Sequence, residues 1–414
     1  MIGIYAIIDS RKWKKSLCPP RLFLLKKNEK VGYFVIYFDN SATTQVYPEV
    51  LRTYQEVTTK IWGNPSSLHR LGSQSSRILE ASRKQIADLL GKKAEEIFFT
   101  SGGTEADNWA LKGIAFEKQT FGKHIIISAI EHPAVKESAE WLSQQGFEVS
   151  LAPVDIRGFV DLDALKELLR PDTILVSVMA VNNEIGSIQP IQEISDLLAD
   201  RPNLTFHVDA VQAIGKIPTE SYLTDRVDLA SFSGHKFHAV RGVGFLYKKS
   251  GKKISPLLTG GGQEKDLRST TENVAAIAAM AKALRLVKDK EAVAVPKIAK
   301  MKEIILGELE KHDDILVFSG QDGFAPNIIT FGIKGVRGEV VVHAFEEHDI
   351  FISTTSACSS KAGKPAGTLM AMGVPTKTAQ TAVRVSLDDD NDMGQVEQFL
   401  TIFKQVYEKT QKVR

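Results

Sequence analysis

The chain has little with which to cross-link itself: its 414 residues include two cysteines, Cys18 and Cys358. One lies in a basic N-terminal stretch and the other deep in the body of the chain. A structural disulfide is therefore not expected, and a reducing, cytoplasmic setting is. Long hydrophobic runs are missing too. No stretch approaches the roughly 20 apolar residues that a bilayer-spanning helix needs. Nor does one sign of charge dominate, with 52 Lys and Arg against 50 Asp and Glu. Eight of those basic residues and two of the acidic ones fall in residues 1–34, which leaves 44 against 48 for the remainder. A mildly acidic body argues against nucleic acid as a direct partner. With 43% hydrophobic and 25% charged residues, the composition is that of a globular chain long enough to bury a large core.

Residues 1–34 do not read like the rest. An apolar start, Ile2 to Ile8, precedes the basic cluster Arg11, Lys12, Lys14 and Lys15. That is the reverse of a secretory signal's order, and the stretch is expected to lie outside the fold. From Val35 the pattern changes to short β-rich runs: Ile97–Thr100, His124–Ser128, Phe147–Leu151, Thr173–Val178, Thr205–Val208, Val227–Ala230 and Gly244–Tyr247. Helical patterns such as Leu162–Leu169 and Ile191–Leu198 sit between them. The alternation predicts an α/β fold, with a large domain built on a mostly parallel seven-stranded sheet with flanking helices. After Gly260-Gly261-Gly262 come two apolar stripes, Ile277 to Val287 and, past Pro296, Ile298 to Leu309. A smaller α+β unit follows, and its last helix is expected over Met393 to Glu408. The expected division is an arm at 35–46, a large domain at 47–290 and a small C-terminal domain at 291–414.

In such sheets, ligands gather beyond the carboxyl ends of the strands. After the first strand comes Ser101-Gly102-Gly103-Thr104, a glycine turn opening a helix whose N–H groups and Thr104 hydroxyl suit an anion. After the second comes Glu131-His132-Pro133, and after the fourth Asn182-Asn183-Glu184-Ile185-Gly186. Asp209 follows the fifth strand, with Gln212 one turn on, and a carboxylate there could cap a helix or pair with a protonated pyridine nitrogen. Ser231-Phe232-Ser233-Gly234-His235-Lys236 follows the sixth. A lysine is by type a solvated surface residue. At the mouth of a buried strand, flanked by hydroxyls, a glycine and an imidazole, Lys236 suits a Schiff base with an aldehyde, and it is read as the anchor of pyridoxal phosphate. In the smaller unit, Cys358 lies in a small, polar, glycine-bearing stretch with Lys361 and Lys364 nearby to favour a thiolate. Arg384 sits inside an apolar strand, where its guanidinium requires a carboxylate partner.

From Tyr37 onward these motifs, together with Tyr37 to Thr44, Gly63-Asn64-Pro65, His207 to Ala210 and Ser356-Ala357-Cys358, resemble the cysteine desulfurases of the NifS/IscS group, in the class V aminotransferase family of fold-type-I pyridoxal-phosphate enzymes. The resemblance implies that Lys236 holds the cofactor, that His132 stacks on its ring, and that Asp209 and Gln212 bind the pyridine nitrogen and the phenolic oxygen. It also implies that Gly103, Thr104, Ser233 and His235 hold the phosphate, joined by Thr271 from the partner subunit of a homodimer with composite active sites. Asn183 and Arg384 would bind the substrate carboxylate, and Cys358 would receive sulfur from L-cysteine as a persulfide and pass it to a sulfur-acceptor protein. That acceptor could serve iron–sulfur cluster assembly, tRNA thiolation or thiamine synthesis. The chain departs from the family at Gly103, at Arg268-Ser269-Thr270-Thr271 and at Ser353-Thr354-Thr355, where an alanine or a glycine is usual. A selenocysteine lyase or other enzyme of the same family stays open, as does a thiol hydrolase using Cys358 with Lys236 structural.

Overall fold

The computed structural model describes residues 35–355 and 367–411. The expectations for residues 1–34 and for Cys358 lie outside the described residues. The first described elements are strand β1 (Ile36–Tyr37) and helices α1 (Pro48–Lys60) and α2 (Arg70–Leu89). The alternating part follows as β2 (Ile97–Thr100), α3 (Gly103–Lys118), β3 (His124–Ser128), α4 (Pro133–Gln144) and β4 (Glu148–Ala152). It continues with α5 (Leu162–Leu168), β5 (Thr173–Ser177), α6 (Ile191–Leu197), β6 (Thr205–Asp209), β7 (Leu229–Ser233) and β8 (Gly244–Lys248).

These seven strands form one sheet in the order β2-β8-β7-β6-β5-β3-β4. All neighbours in it are parallel except that β8 runs antiparallel to both β2 and β7. The exception has a local cause: β7 and β8 are joined by residues 234–243 with no crossover helix, and a parallel return needs one. Because β8 opposes both of its neighbours, β2 and β7 point the same way. The exits of β2, β3, β5, β6 and β7 therefore share one edge of the sheet.

The strands are buried throughout except for the last residue of β8, Lys248, and for β4, an edge strand with exposed positions. Phe232 and Phe245, partners across β7 and β8, stack at 4.4 Å and are fully buried. Burial of one such side chain stabilises the fold by about 1.5–3 kcal/mol.

Helix α7 (Val274–Leu309) is one continuous helix where the sequence shows two stripes. Its first half, Ala276 to Val287, packs into the core beneath the large sheet. Its second half, Ile298 to Leu309, joins a separate core that also holds Phe38, Phe331 and Phe399. Pro296 lies inside the helix on an exposed turn, so the lost N–H bond is not also a buried defect. The boundary expected at 290–291 falls within this helix.

The remaining elements are β9 (Ile315–Val317), β10 (Ile328–Ile333), α8 (Gly338–Glu346), β11 (Ile350–Phe351), β12 (Ser353–Thr354), α9 (Gly367–Ala371), α10 (Thr376–Ala379), β13 (Ala382–Ser386) and α11 (Met393–Gln411). A four-stranded antiparallel sheet runs β12-β13-β10-β9, and β1 pairs in parallel with β11.

Candidate active site

The shared edge gathers most of the expected residues. Ser233 ends β7, and Lys236 follows in a single 3-10 turn, Gly234–Lys236. The Lys236 ammonium donates to the carbonyl oxygens of Ser41 (2.6 Å) and Ala42 (2.9 Å). The Gln212 amide donates to the same Ser41 oxygen at 2.9 Å. The segment 39–44 therefore lies over the lysine, and one carbonyl joins Lys236 to Gln212. His235 holds that segment from the other side, with its Nδ1 3.2 Å from the Thr43 hydroxyl and its carbonyl accepting from the Thr44 N–H.

Next to Ser233, the N-terminus of α3 arrives at close range. A Cβ on Gly103 would lie 2.7 Å from Val211 Cγ2 and 3.4 Å from Ser233 Cβ, and one on Gly102 would lie 3.6 Å from the Ser233 hydroxyl. Gly244, the cross-strand partner of both Ser233 and Thr100, has no room for a side chain: a Cβ would meet Phe232 O at 2.4 Å and Gly102 Cα at 2.7 Å. These contacts bring a hydroxyl and the first-turn N–H groups of a 16-residue helix together. Such a helix start favours an anion. Thr104 is exposed at that same start.

Asp209, buried, ends β6 and accepts from the Val211 N–H at 3.0 Å. Burial raises its pKa to about 6, above the usual carboxylate range, and the Val211 N–H bond and the Lys236 charge oppose the rise. Two further buried carboxyls lie close enough to interact with it. Asp107, from α3, is pushed well up by burial and by Asp209. Glu131, at the exit of β3, is pushed up to about 8, chiefly by burial. Asp107 Oδ1 and Glu131 Oε2 are buried without a hydrogen-bond partner. His207, between the hydroxyls of Ser177 (2.8 Å) and Ser231 (2.9 Å), is pushed by burial down to about 3 and stays neutral. Among the described residues the edge sets three buried acids against two lysines, Lys236 acting on Asp209 and Lys136 on Glu131.

His132 is half-buried and caps α4, its Nδ1 accepting from the Ala134 N–H at 3.1 Å. Burial, then the charges of Lys236 and Lys136, lower it to about 4. The ring is neutral at pH 7, with its proton on Nε2.

On the side of the small sheet, Arg384 lies in β13 opposite Ser353. The carboxylate that its guanidinium requires is Asp39, 2.9 Å from Nη2, and Nη1 donates to the backbone oxygen of Asn183 at 2.7 Å. Its Nε is buried without a partner. Asn183 thus meets Arg384 through its backbone. Asn182 beside it is a structural amide: its Oδ1 accepts from the N–H groups of Glu184 and Ile185, and its Nδ2 donates to Ile130 O and Thr368 Oγ1. Thr271 is exposed in the loop before α7. That loop is fixed to the start of α3 by Arg268, which donates to Glu105 at 2.7 and 2.9 Å.

Sequence reasoning missed Asp107, Asp39 and the role of Glu131. A signal for Asp107 was available. It stands on the buried face of α3, beside Ala106, Ala110 and Leu111, where a carboxylate has no ordinary reason to be.

The model of the family described as aminotransferase class-V matches residues 36–399, so the chain belongs to this family. It is 53% identical over 380 residues to the NifS/IcsS protein homolog of Lactobacillus delbrueckii subsp. bulgaricus, covering 92% of this chain and 99% of the relative. It is 41% identical over 384 residues to the cysteine desulfurase IscS of Dictyoglomus turgidum, covering 91% of this chain and 96% of the relative. The solved structure of a NifS-like protein matches at 37% identity with a TM-score of 0.84, covering 91% of this chain and 99% of the other. Within its family the chain falls in the NifS/IscS-type cysteine desulfurase group.

Proposed function

We propose that this cysteine desulfurase works with pyridoxal 5′-phosphate and moves sulfur from L-cysteine to Cys358, leaving L-alanine. The observation that carries the reading is the pairing of a lysine at the β7 exit with a cation-poor buried carboxyl group at the β6 exit. The residues fit the cofactor. The unpartnered buried oxygens of Asp107 and Glu131 and the raised Asp209 mark a site with more buried acid than cations, and a protonated pyridine would add one. The α3 start with the Ser233 hydroxyl fits the phosphate. Bound there, the cofactor supplies an electron sink that acidifies the substrate α-proton and weakens the Cβ–S bond.

Lys236 would hold the cofactor aldehyde and, once released, take the α-proton. Asp209 would keep the pyridine nitrogen protonated, Gln212 would meet the phenolic oxygen, and the neutral ring of His132 would stack and carry the substrate thiol proton. Gly103, Thr104, Ser233 and His235 would hold the phosphate. The unpartnered Nε of Arg384 leaves a donor for the substrate carboxylate, with Asn183 adjacent. The Cys358 thiolate would attack the substrate sulfur: an S–S bond forms, the Cβ–S bond breaks, and Cβ takes a proton. A thiol and cysteine thus give a persulfide and alanine with no outside oxidant. Cys358 is three residues beyond Thr355, which directly follows the Arg384-paired strand β12.

Thr271 on its exposed loop would serve the second subunit of a homodimer, and the persulfide would pass to an acceptor protein in the cytoplasm for iron–sulfur assembly, tRNA thiolation or thiamine synthesis. Mass spectrometry of the protein after L-cysteine tests the reading. One added sulfur on Cys358 with matching alanine is expected. Cys358→Ser should keep the cofactor absorbance and release no sulfur, and full turnover by that variant would refute the persulfide step.

A further inference from the structure

The turn at 182–186, between β5 and α6, presents four successive backbone oxygens to groups 134 to 201 residues further on. The Asn183 oxygen accepts from Arg384 Nη1 at 2.7 Å and the Glu184 oxygen from the Thr330 hydroxyl at 2.6 Å. The Ile185 oxygen accepts from the Ser319 hydroxyl at 2.6 Å, and that of Gly186 from the Ala325 N–H at 2.7 Å. A hydroxyl has one hydrogen to donate, and Thr330 and Ser319 each give it to this turn. Ser319 also accepts from the Thr330 N–H at 2.9 Å, and both side chains are buried. From within the turn, the Asn182 amide oxygen accepts the N–H groups of Glu184 and Ile185, each at 2.9 Å. Gly186 has a φ of +83°, and a Cβ on it would lie 2.9 Å from Ile328 Cβ, so the turn rests directly against β10.

Thr330 and Arg384 are paired residues of β10 and β13. Neighbouring positions of one sheet thus grip neighbouring oxygens of one turn. The second anchor of the guanidinium is Asp39, 2.9 Å from Nη2, and Asp39 bridges to Ser386 on the arginine's own strand. That anchor travels with Arg384. The Asn183 oxygen belongs to the exit of β5, so it sets the guanidinium against the edge where Lys236 stands.

We infer that Thr330 is a positioning residue for the substrate carboxylate: by holding the Glu184 oxygen it fixes the Asn183 oxygen beside it, and with that the plane of Arg384. Ser319 braces the same turn one residue on. The inference rests on the carboxylate role proposed for Arg384. A guanidinium meets a carboxylate through N–H groups in a rigid planar fork, so a small rotation of the plane costs affinity. The substrate amine is met elsewhere, at Lys236. Losing the Thr330 hydroxyl should therefore separate ligands by their carboxylate.

The test uses the holoenzyme and reads binding from the absorbance of the bound cofactor. The two ligands are L-alanine, the product, and ethylamine, the same frame without the carboxyl group. Thr330→Val keeps the shape and removes the hydroxyl. It should weaken L-alanine and raise KM for L-cysteine roughly fivefold, the scale of one lost hydrogen bond. kcat should fall by less than KM rises, and ethylamine binding should change little. Thr330→Ser, which returns the hydroxyl, should restore both constants. If Thr330→Val gives no folded protein, Ser319→Ala removes the adjacent donor and is read in the same way. Equal weakening of the two ligands, or a serine variant that restores neither constant, would make Thr330 a packing residue and overturn the inference. Arg384→Lys separates the two levels. If it weakens L-alanine while Thr330→Val leaves it unchanged, the inference alone falls. If Arg384→Lys leaves L-alanine binding unchanged, the carboxylate role of Arg384 falls and takes the inference with it.

Discussion

Asp209, the last residue of β6, and Asp388, two residues past β13, are both buried aspartates, yet their surroundings drive them in opposite directions. Around Asp209 the neighbours are further acids, Asp107 and Glu131, a neutral His207, and one lysine at the mouth. Asp388 instead meets Lys216 at 2.6 Å, and the charges of Lys216 and His238 outweigh its burial and hold it well below the usual carboxylate range. The chemistry of the side chains is the same, and the count of nearby cations decides. A cluster supplied with cations is finished, and it ties elements together. A cluster without them is poised to take a positively charged group from outside the chain.

Three changes sharpen or break this contrast. The largest effect is expected at the cation-poor end. Asp209→Asn keeps the shape and removes the charge, and kcat should fall roughly a hundredfold or more, in the range seen for a lost electrostatic partner in a closed site. A loss confined to KM would show that Asp209 matters only for binding. Next comes Arg384→Lys, which keeps the charge and discards the planar fork. KM for L-cysteine should rise about tenfold, and an unchanged KM would remove Arg384 from substrate binding.

The smallest effect concerns Glu131 and is read in stability against pH. Its pKa is raised to about 8 in the fold, above an unfolded value of about 4.3. Between those values the unfolded chain loses the proton and the native protein keeps it, so stability falls as pH rises and levels off above about 8. In the cofactor-free protein, Glu131→Gln should shrink the difference in melting temperature between pH 5 and pH 8. An identical difference in the two proteins would contradict the raised constant.

Much of this arrangement was legible in the residues. The strands at 97–100, 124–128 and 205–209 follow short β-branched and aromatic runs, and glycine or polar turns mark their exits. Lys236 stood out because small polar groups surround it at such an exit. What stayed hidden depends on contacts distant in the chain. Nothing local to Arg384 names Asp39, 345 residues away, as its partner. The stripes on either side of Pro296 read as two helices, because a proline usually ends one. They are a single helix whose proline faces outward, and local pattern does not reveal which face is solvated. The short run from Ile350 to Thr354 serves two sheets, pairing with β1 and then with β13. His238 carries no motif. Its ring faces Asp388 and Asp389, about 150 positions further on.

The central claim is that Lys236 carries the cofactor beside the cation-poor carboxyls. The most direct measurement is to reduce the coloured holoenzyme with borohydride, digest it, and locate the added pyridoxyl phosphate by mass spectrometry. The account expects the label on Lys236, and no label in Lys236→Ala. A label on another lysine, or an equal yield from the alanine variant, would contradict it.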